Sequence, residues 1–385
     1  MNAILGVIFH FLGGFASGSF YIPYKKVKGW AWESYWIIGG LFSWLIVPPL
    51  AAWLTIPNFS EIISQAGGAV IGYTFLFGIL WGIGGLTYGL GVRYLGVSLG
   101  SSIILGLCMV FGSLIPSIYY DIFPAAGKDT FSALVGNTWG RTVLLGLAVC
   151  IVGIIICGKA GTRKEKELMK GGVDPHGLPA KKEGKSDQGI DLHVEADKIK
   201  LAKTEYRFGL GLLVSIISGV LSACFNFGLE AGKPMAAVAN SLWMAAHPGE
   251  GNFLYQNNVT YVVVLWGGLT TNFIWCMILN ARNKTFGDYT NKKTPLLSNY
   301  IFSALAGTTW FLQFFFYGMG ESKLGNGPSS WILHMAFIIL TANAWGLALK
   351  EWAGVSKKTK TTVIIGIITI IVSVLLVGYG NSLKG

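Results

Sequence analysis

The strongest constraint on this sequence is a series of long apolar stretches, each bounded by charged or turn-forming residues. Roughly 20 apolar residues are needed for an α-helix to cross a bilayer, where every backbone polar group must be hydrogen-bonded within the protein. Only 12% of the residues are charged, which excludes an ordinary soluble protein. We therefore predict an all-α integral membrane protein with ten transmembrane helices. The ten stretches are residues 4–24, 34–56, 70–92, 95–120, 141–158, 208–229, 256–280, 297–320, 327–349 and 361–380.

The charged residues predict the orientation of these spans. Residues 159–207 contain 12 of the 29 Lys and Arg residues, and their Gly, Pro and charged composition is typical of a flexible linker. Sorting the basic residues by side places 24 on the side of this linker and 5 on the other. Because cytoplasmic loops are rich in Lys and Arg, we expect a cytoplasmic linker and both termini on the non-cytoplasmic side. The net charge of +11 is then a topology signal, and nucleic acid is not an expected partner.

The two halves of the chain share a spaced pattern of residues. Five spans per half is an odd number, so the second copy would enter the membrane in the opposite orientation, as in many secondary transporters. The predicted organisation is a first five-helix repeat at 1–158, the charged linker at 159–207 and a second five-helix repeat at 208–385. No convincing match joins the second and seventh spans. The clearest block consists of Trp81, Tyr88, Gly89, Gly91, Leu95 and Gly96, which recur 229 positions later with identical spacing.

Polar side chains follow one face of the first and sixth spans. His10, Gly14 and Tyr21 are spaced so that they share a helical face, and the equivalent face of the sixth span ends at Asn226. Small residues on such a face favour close helix packing, whereas polar side chains favour the wall of a wet cavity. We expect His10, Tyr21 and Asn226 to line a cavity.

Aromatic residues occupy matching places on the third and eighth spans. Trp81 and Tyr88 are two turns apart, as are Trp310 and Tyr317, and Gln313 joins the second pair. Aromatic rings beside hydrogen-bonding groups suit a sugar, whose C–H face packs on a ring while its hydroxyls find partners. An interfacial aromatic belt is the alternative, and it fits the two tryptophans less well because they lie near mid-span.

Ionisable residues in or near the spans are few, and such residues are functional candidates by default. Glu33 is the first candidate for a proton site, with a gating salt bridge as the alternative. His10, His334 and Glu230 follow it. For His334, a structural role inside the bundle is the competing interpretation.

Several blocks of this sequence resemble the L-rhamnose/proton symporter family of the drug/metabolite transporter superfamily. The resemblance covers all ten spans. Two features depart from the family pattern: the linker is longer, and Glu230 stands where an uncharged side chain is expected. The blocks are FYIPYKKVKGWAWESYW, TYGLGVRYLGVSLG, EAGKPM, WFLQFFFYGMG, SSWILHMAF and LALKEW.

The resemblance implies the drug/metabolite transporter fold and a carrier in the bacterial inner membrane that takes up a 6-deoxyhexose, first of all L-rhamnose, with a proton. No cofactor or metal is implied. It adds Trp331 as a substrate-binding candidate and Lys25 and Arg93 as gate or charge partners. The residues that it brings into the candidate site are His10, Tyr21, Lys25, Glu33, Tyr88, Arg93, Gln313, Tyr317, Trp331 and His334.

Two other functions remain open from the sequence. One is a carrier of the same fold for another sugar or small metabolite, including an exporter. The other is an intramembrane transferase, against which stands the lack of HExxH, GxSxG and Asp-rich metal motifs.

Overall fold

The computed structural model describes residues 2–95, 97–125, 127–170, 208–349 and 352–384, and these residues form helices with short connections. We call the end of the bundle at Lys170 and Phe208 the linker end, and the end at Asn2 and Ser382 the terminal end. The helices are α1 (Asn2–Ser19), α2 (Tyr21–Tyr24), α3 (Trp32–Gly40), a π-helical segment (Leu41–Ile46), α4 (Val47–Thr55), α5 (Phe59–Gln65), α6 (Gly68–Leu95), α7 (Val97–Ile122), α8 (Phe131–Gly136), α9 (Thr138–Lys170), α10 (Phe208–Ala231), α11 (Lys233–Ala246), α12 (Asn258–Asn283), a 3-10 turn (Phe286–Tyr289), α13 (Leu296–Leu324), α14 (Gly327–Ala348) and α15 (Lys357–Ser382).

Nine segments of the described residues are long and apolar enough to cross a membrane. They coincide with every predicted span except the eighth. That span forms α13, which has 29 residues but carries Asn299, Ser303 and Gln313 on a face buried in the bundle. These polar side chains lower its mean hydropathy. The all-α membrane architecture is therefore confirmed, whereas the described residues give nine candidate spans and do not confirm the predicted count of ten.

The end of the first half differs in one detail from the sequence-based division. The helix α9 continues to Lys170, beyond the predicted start of the linker at residue 159. The predicted linker residues 171–207 lie outside the described residues.

The second predicted span is a helical run interrupted by the π-helical segment. Pro48 and Pro49 follow this segment, and a proline inside a helix offers no N–H to the carbonyl four residues before it. A π-helical turn is one way in which a helix adjusts to such an interrupted hydrogen-bond ladder. The segment carries the buried Trp44, whose ring centroid lies 5.8 Å from that of Trp310.

The long helices pack in pairs that join one half of the chain to the other. The helix α1 packs on α13 and α14, and its counterpart α10 packs on α6 and α7. The helix α3 packs on α13, as α12 packs on α6, while α9 and α15 pack on each other. Each of these contacts therefore has a counterpart in which both helices are replaced by the equivalent helices of the other half.

Two glycine crossings make this packing close. A Cβ atom at Gly307 would lie 2.9 Å from the Cα atom of Gly39, and a Cβ atom at Gly267 would lie 2.9 Å from the Cα atom of Gly78. Gly78 and Gly307 are 229 positions apart, the spacing of the clearest repeat block. Gly39 and Gly267 thus occupy equivalent places on the second and seventh spans, where the sequence alone gave no match.

Adding a methyl group at these crossings should destabilise the protein. Gly78→Ala and Gly307→Ala each place a Cβ atom against the backbone of a neighbouring helix, and we expect a loss of about 1–3 kcal/mol, typical of overpacking. The loss should appear as a lower melting temperature of the purified protein in detergent. The control is Gly85→Ala on the same helix as Gly78, where a Cβ atom meets open space. Equal melting temperatures for the three variants would contradict the close crossings.

Candidate functional site

Two buried histidines and one buried tyrosine meet inside the bundle. His10 on α1 and His334 on α14 are at most 1% exposed, as is Tyr317 on α13. The ring centroid of Tyr317 lies 5.3 Å from that of His10 and 5.1 Å from that of His334. The two imidazole centroids are 6.3 Å apart. The sequence-based prediction named these three residues on three separate helices, and the fold brings them together.

Glycines on the helices allow this approach. A Cβ atom at Gly13 would lie 2.7 Å from the backbone oxygen of Gln313, and one at Gly320 would lie 2.8 Å from Nε2 of His10. Because both positions lack a side chain, α1 lies close against α13. His10 is thereby enclosed between α13 and α14.

Gln313, Asn226 and Trp331 complete what we call the buried polar group, which also contains His10, Tyr317 and His334. All three added side chains are at most 4% exposed. Nδ2 of Asn226 donates to the backbone oxygen of Gly112 at 2.7 Å, and Nε1 of Trp331 donates to that of Cys108 at 3.1 Å. The hydroxyl of Tyr317 donates to Oδ1 of Asn226 at 3.5 Å. These bonds fix the orientation of three of the six side chains.

Five other polar atoms of the group are buried without protein partners among the described residues. Both ring nitrogens of His10 and of His334 lack a hydrogen bond to any described residue, and so does Nε2 of Gln313. Nearly all buried polar groups in proteins are hydrogen-bonded, because leaving one unpaired costs free energy. Five such atoms in one place indicate a site for a polar ligand. Two imidazoles are too few for a metal site, and no group of three metal-binding side chains occurs among the described residues.

An aromatic wall lies beside the buried polar group. Trp81 from the first half and Trp310 from the second meet with ring centroids 5.7 Å apart, which the matched sequence blocks did not by themselves imply. Phe225 and Phe314 stack at 4.0 Å, and Phe225 lies 5.2 Å from Trp81. The wall consists of Trp44, Trp81, Phe225, Trp310 and Phe314.

Two predicted substrate-binding residues lie elsewhere. Tyr21 is 46% exposed and packs on Phe20 and Trp36. Tyr88 donates from its hydroxyl to Oγ of Ser101 at 2.7 Å. Neither contacts the histidines or Tyr317 within the described part of the chain, so the structure does not bring them into the buried polar group.

At the linker end, hydrogen bonds join α3 to the segment after α12. Glu33 is 4% exposed and accepts from Nδ2 of Asn283 at 3.0 Å and from Oγ1 of Thr285 at 2.8 Å. Asp288 accepts at 2.8 Å from both the backbone nitrogen of Ala31 and the hydroxyl of Ser34. Glu33 is thus far along the bundle from the histidines. Lys25 is exposed, and the side chain of Arg93 lies outside the described residues.

A cavity of about 190 Å³ opens at the terminal end. Glu230 lines it and accepts from Nζ of Lys128 at 2.6 Å and from the hydroxyl of Tyr120 at 2.8 Å. Lys233 pairs with Glu321 at 2.5 Å. The candidate list from the sequence contained Glu230 but neither Lys128, which lies in a connecting loop, nor Glu321, which falls just beyond the predicted eighth span.

The comparisons with known proteins identify one family over nearly the full length of the chain. A family model described as L-rhamnose-proton symport protein (RhaT) matches residues 1–182 and 190–383. Proteins named L-rhamnose-proton symporter from Yersinia pestis (strain Pestoides F) and Yersinia pseudotuberculosis serotype O:1b (strain IP 31758) are 35% identical over 382 residues, which is 98% of each chain. The family is one of transporters and not of enzymes, so the transferase alternative is set aside. With its apolar helices, this chain is a multi-pass membrane protein that belongs to the L-rhamnose-proton symport protein family.

Proposed function

We propose that this protein takes up L-rhamnose, or a closely related 6-deoxyhexose, together with a proton by alternating access. The names of its relatives support the substrate and the coupling ion. The excess of basic residues on one side supports an inner-membrane orientation in which the linker is cytoplasmic and the terminal end faces out. A carrier for a different sugar, or an exporter, is the alternative that the experiments below would reveal.

The observation that carries the proposal is the pairing of the buried polar group with the aromatic wall. Hydroxyl groups of a sugar need donors and acceptors, and the unpaired amide nitrogen of Gln313 supplies one. The rings of Trp81 and Trp310 offer an apolar face to C–H groups and to the methyl group of a 6-deoxy sugar. A site of this kind is largely apolar with a few placed polar groups, as ligand sites usually are.

We assign the proton to the pair of histidines. A neutral imidazole has one N–H donor and one acceptor, whereas a protonated one has two donors. Protonation of His10 or His334 therefore adds a donor beside the sugar, and a bound hydroxyl stabilises the added charge. Sugar and proton then favour each other's binding, which is the coupling that symport requires.

The two glutamates that the sequence analysis ranked as proton candidates fit other roles. The hydrogen bonds of Glu33 tie α3 to the segment after α12 at the linker end, which supports a part in closing that end. Glu230 is paired with Lys128 at the terminal end. A cationic partner stabilises the ionised form of a carboxylate, so a paired carboxylate binds a proton less readily.

The two ends support an alternating mechanism. The larger cavity lies at the terminal end, while the hydrogen bonds of Glu33 and Asp288 join the helices at the linker end. The symmetric helix pairing supports the division into repeats at 1–158 and 208–385, joined by the linker 159–207. Inverted repeats switch access by moving one bundle against the other around a fixed site.

The first test is sugar uptake into proteoliposomes. One proton moving through about 100 mV supplies about 2.3 kcal/mol, enough for roughly fifty-fold accumulation of a neutral sugar. We expect labelled L-rhamnose to accumulate when an inward proton gradient is imposed and to leave again when a protonophore is added. Uptake that is indifferent to both treatments would rule out proton coupling.

Replacing the histidines should separate transport from coupling. We expect His10→Gln and His334→Gln each to reduce proton-driven accumulation at least tenfold, because glutamine cannot take up the proton. Exchange of labelled for unlabelled sugar needs no net proton movement and should be affected less. The control is His247→Gln, since His247 caps α11 and stacks on Trp243 away from the buried polar group. If both variants accumulate sugar as the control does, the proton is carried elsewhere.

Truncating the proposed sugar contacts should weaken binding. A lost hydrogen bond to a buried ligand costs about 1–3 kcal/mol, so Gln313→Ala should raise the dissociation constant of L-rhamnose by roughly 5- to 150-fold. Trp310→Ala should have a similar effect through lost ring contact. The controls are Gln65→Ala and Trp53→Ala at exposed positions. Calorimetric titration of each purified variant measures the change, and affinities equal to those of the controls would place the sugar elsewhere.

A further inference from the structure

The cavity at the terminal end and the aromatic wall lie at different levels along the bundle. Glu321, which lines it, is one turn from Tyr317 on α13 and eleven residues from Trp310. At about 1.5 Å per residue, the cavity and the ring of Trp310 are separated by roughly 16 Å along the helix axis. One monosaccharide in contact with the ring of Trp310 therefore cannot also contact Glu321.

The charges of the cavity are balanced. A charged ligand would leave an unpaired charge in a partly buried place, which is costly. Balanced charge therefore favours a neutral ligand. Three ion pairs line or border the cavity, namely Lys128 with Glu230, Lys233 with Glu321 and Lys384 with Asp129.

The ion pairs retain hydrogen-bonding capacity. Lys233 also donates to Oδ1 of Asn257, Glu321 accepts from Nδ2 of Asn257, and Glu230 accepts from the hydroxyl of Tyr120. A lysine ammonium group has three donors and a carboxylate accepts about four hydrogen bonds, so each of these groups keeps capacity for a ligand. Asn252 and Gln256 add amide groups to the same walls. Alternating donors and acceptors at this density match neighbouring hydroxyl groups on a sugar ring.

The volume of the cavity limits the size of the ligand. About 190 Å³ is below the roughly 300–1,000 Å³ of sites for drug-sized molecules. A single sugar ring is the neutral, hydroxyl-rich ligand of suitable size.

We propose that the terminal-end cavity is a second binding site for a neutral monosaccharide, which the sugar occupies before it reaches the buried polar group. This inference rests on the proposed function, because it assumes that the transported ligand is a sugar. It assigns a role to Lys128, Lys233 and Glu321 and gives Glu230 a ligand-binding role in place of proton transfer.

The test fills the cavity without changing its charge. Gly327 lines it, and a Cβ atom there would lie 3.5 Å from Oε1 of Glu230, an ordinary contact. Gly327→Leu therefore extends a side chain into the cavity. The control is Gly136→Leu at the end of α8, an exposed position where a Cβ atom meets open space. Gln256→Leu is a second variant, which removes one amide from the wall. It tests the site independently if Gly327→Leu misfolds.

The measurement is the number of labelled L-rhamnose molecules bound per chain at saturation, by equilibrium dialysis of the full-length protein in detergent. We expect about two for the unmodified protein and Gly136→Leu, and about one for Gly327→Leu. Gln256→Leu should weaken one of the two sites about tenfold. Gln313→Ala should weaken the other site instead.

Two results would overturn the inference in different ways. Saturation at one sugar per chain in the unmodified protein, unchanged by Gly327→Leu, would show that the cavity binds no sugar while leaving the proposed function intact. No binding of L-rhamnose at all would refute the proposed substrate, and the second site would fail with it.

Discussion

The close approach of helix backbones at the two glycine crossings is the constraint on which the rest of the structure depends. Gly39 meets Gly307 and Gly78 meets Gly267, so that a helix from each half lies directly against one from the other. In a bilayer the lipid is as apolar as the helix surfaces, and packing at small residues takes over the role that hydrophobic burial has in water. A further close approach, of α1 to α13 at Gly13 and Gly320, leaves His10 enclosed.

Polar side chains in this bundle are divided among three levels with different partners. At the linker end, Glu33 and Asp288 bind amide, hydroxyl and backbone groups. At the terminal end, carboxylates bind lysines around a cavity. Between them, the nitrogens of His10 and His334 have no protein partner among the described residues. Satisfied groups hold the ends of the helices together, whereas unsatisfied groups remain available to a ligand.

The sequence predicted several residues of the buried polar group and of the aromatic wall, but not which of its candidates lie together. The repeat placed Trp81 and Trp310 at matching positions near mid-span, and the structure shows both partly buried with their rings in contact. Tyr88 and Tyr21 shared the same patterns but lie away from the buried polar group, because a helical face alone does not say which neighbour it meets. Glu321 was missed because it lies at the end of a helix, where charged residues are common. Only the ion pair with Lys233 in the structure distinguishes it from the others.

The sequence by itself determined the membrane class, because long apolar stretches have no other stable environment. The placement of lysine and arginine predicts an orientation of the spans. It also carried the family, in blocks that do not depend on contacts. Only the tertiary structure decided which polar residues meet. His10 and His334 are 324 positions apart, and their approach depends on backbone contacts at glycines, which leave no periodic signal in the chain. The ion pairs of Glu230 and Glu321 likewise depend on distances between helix ends, which are set by packing and not by local sequence.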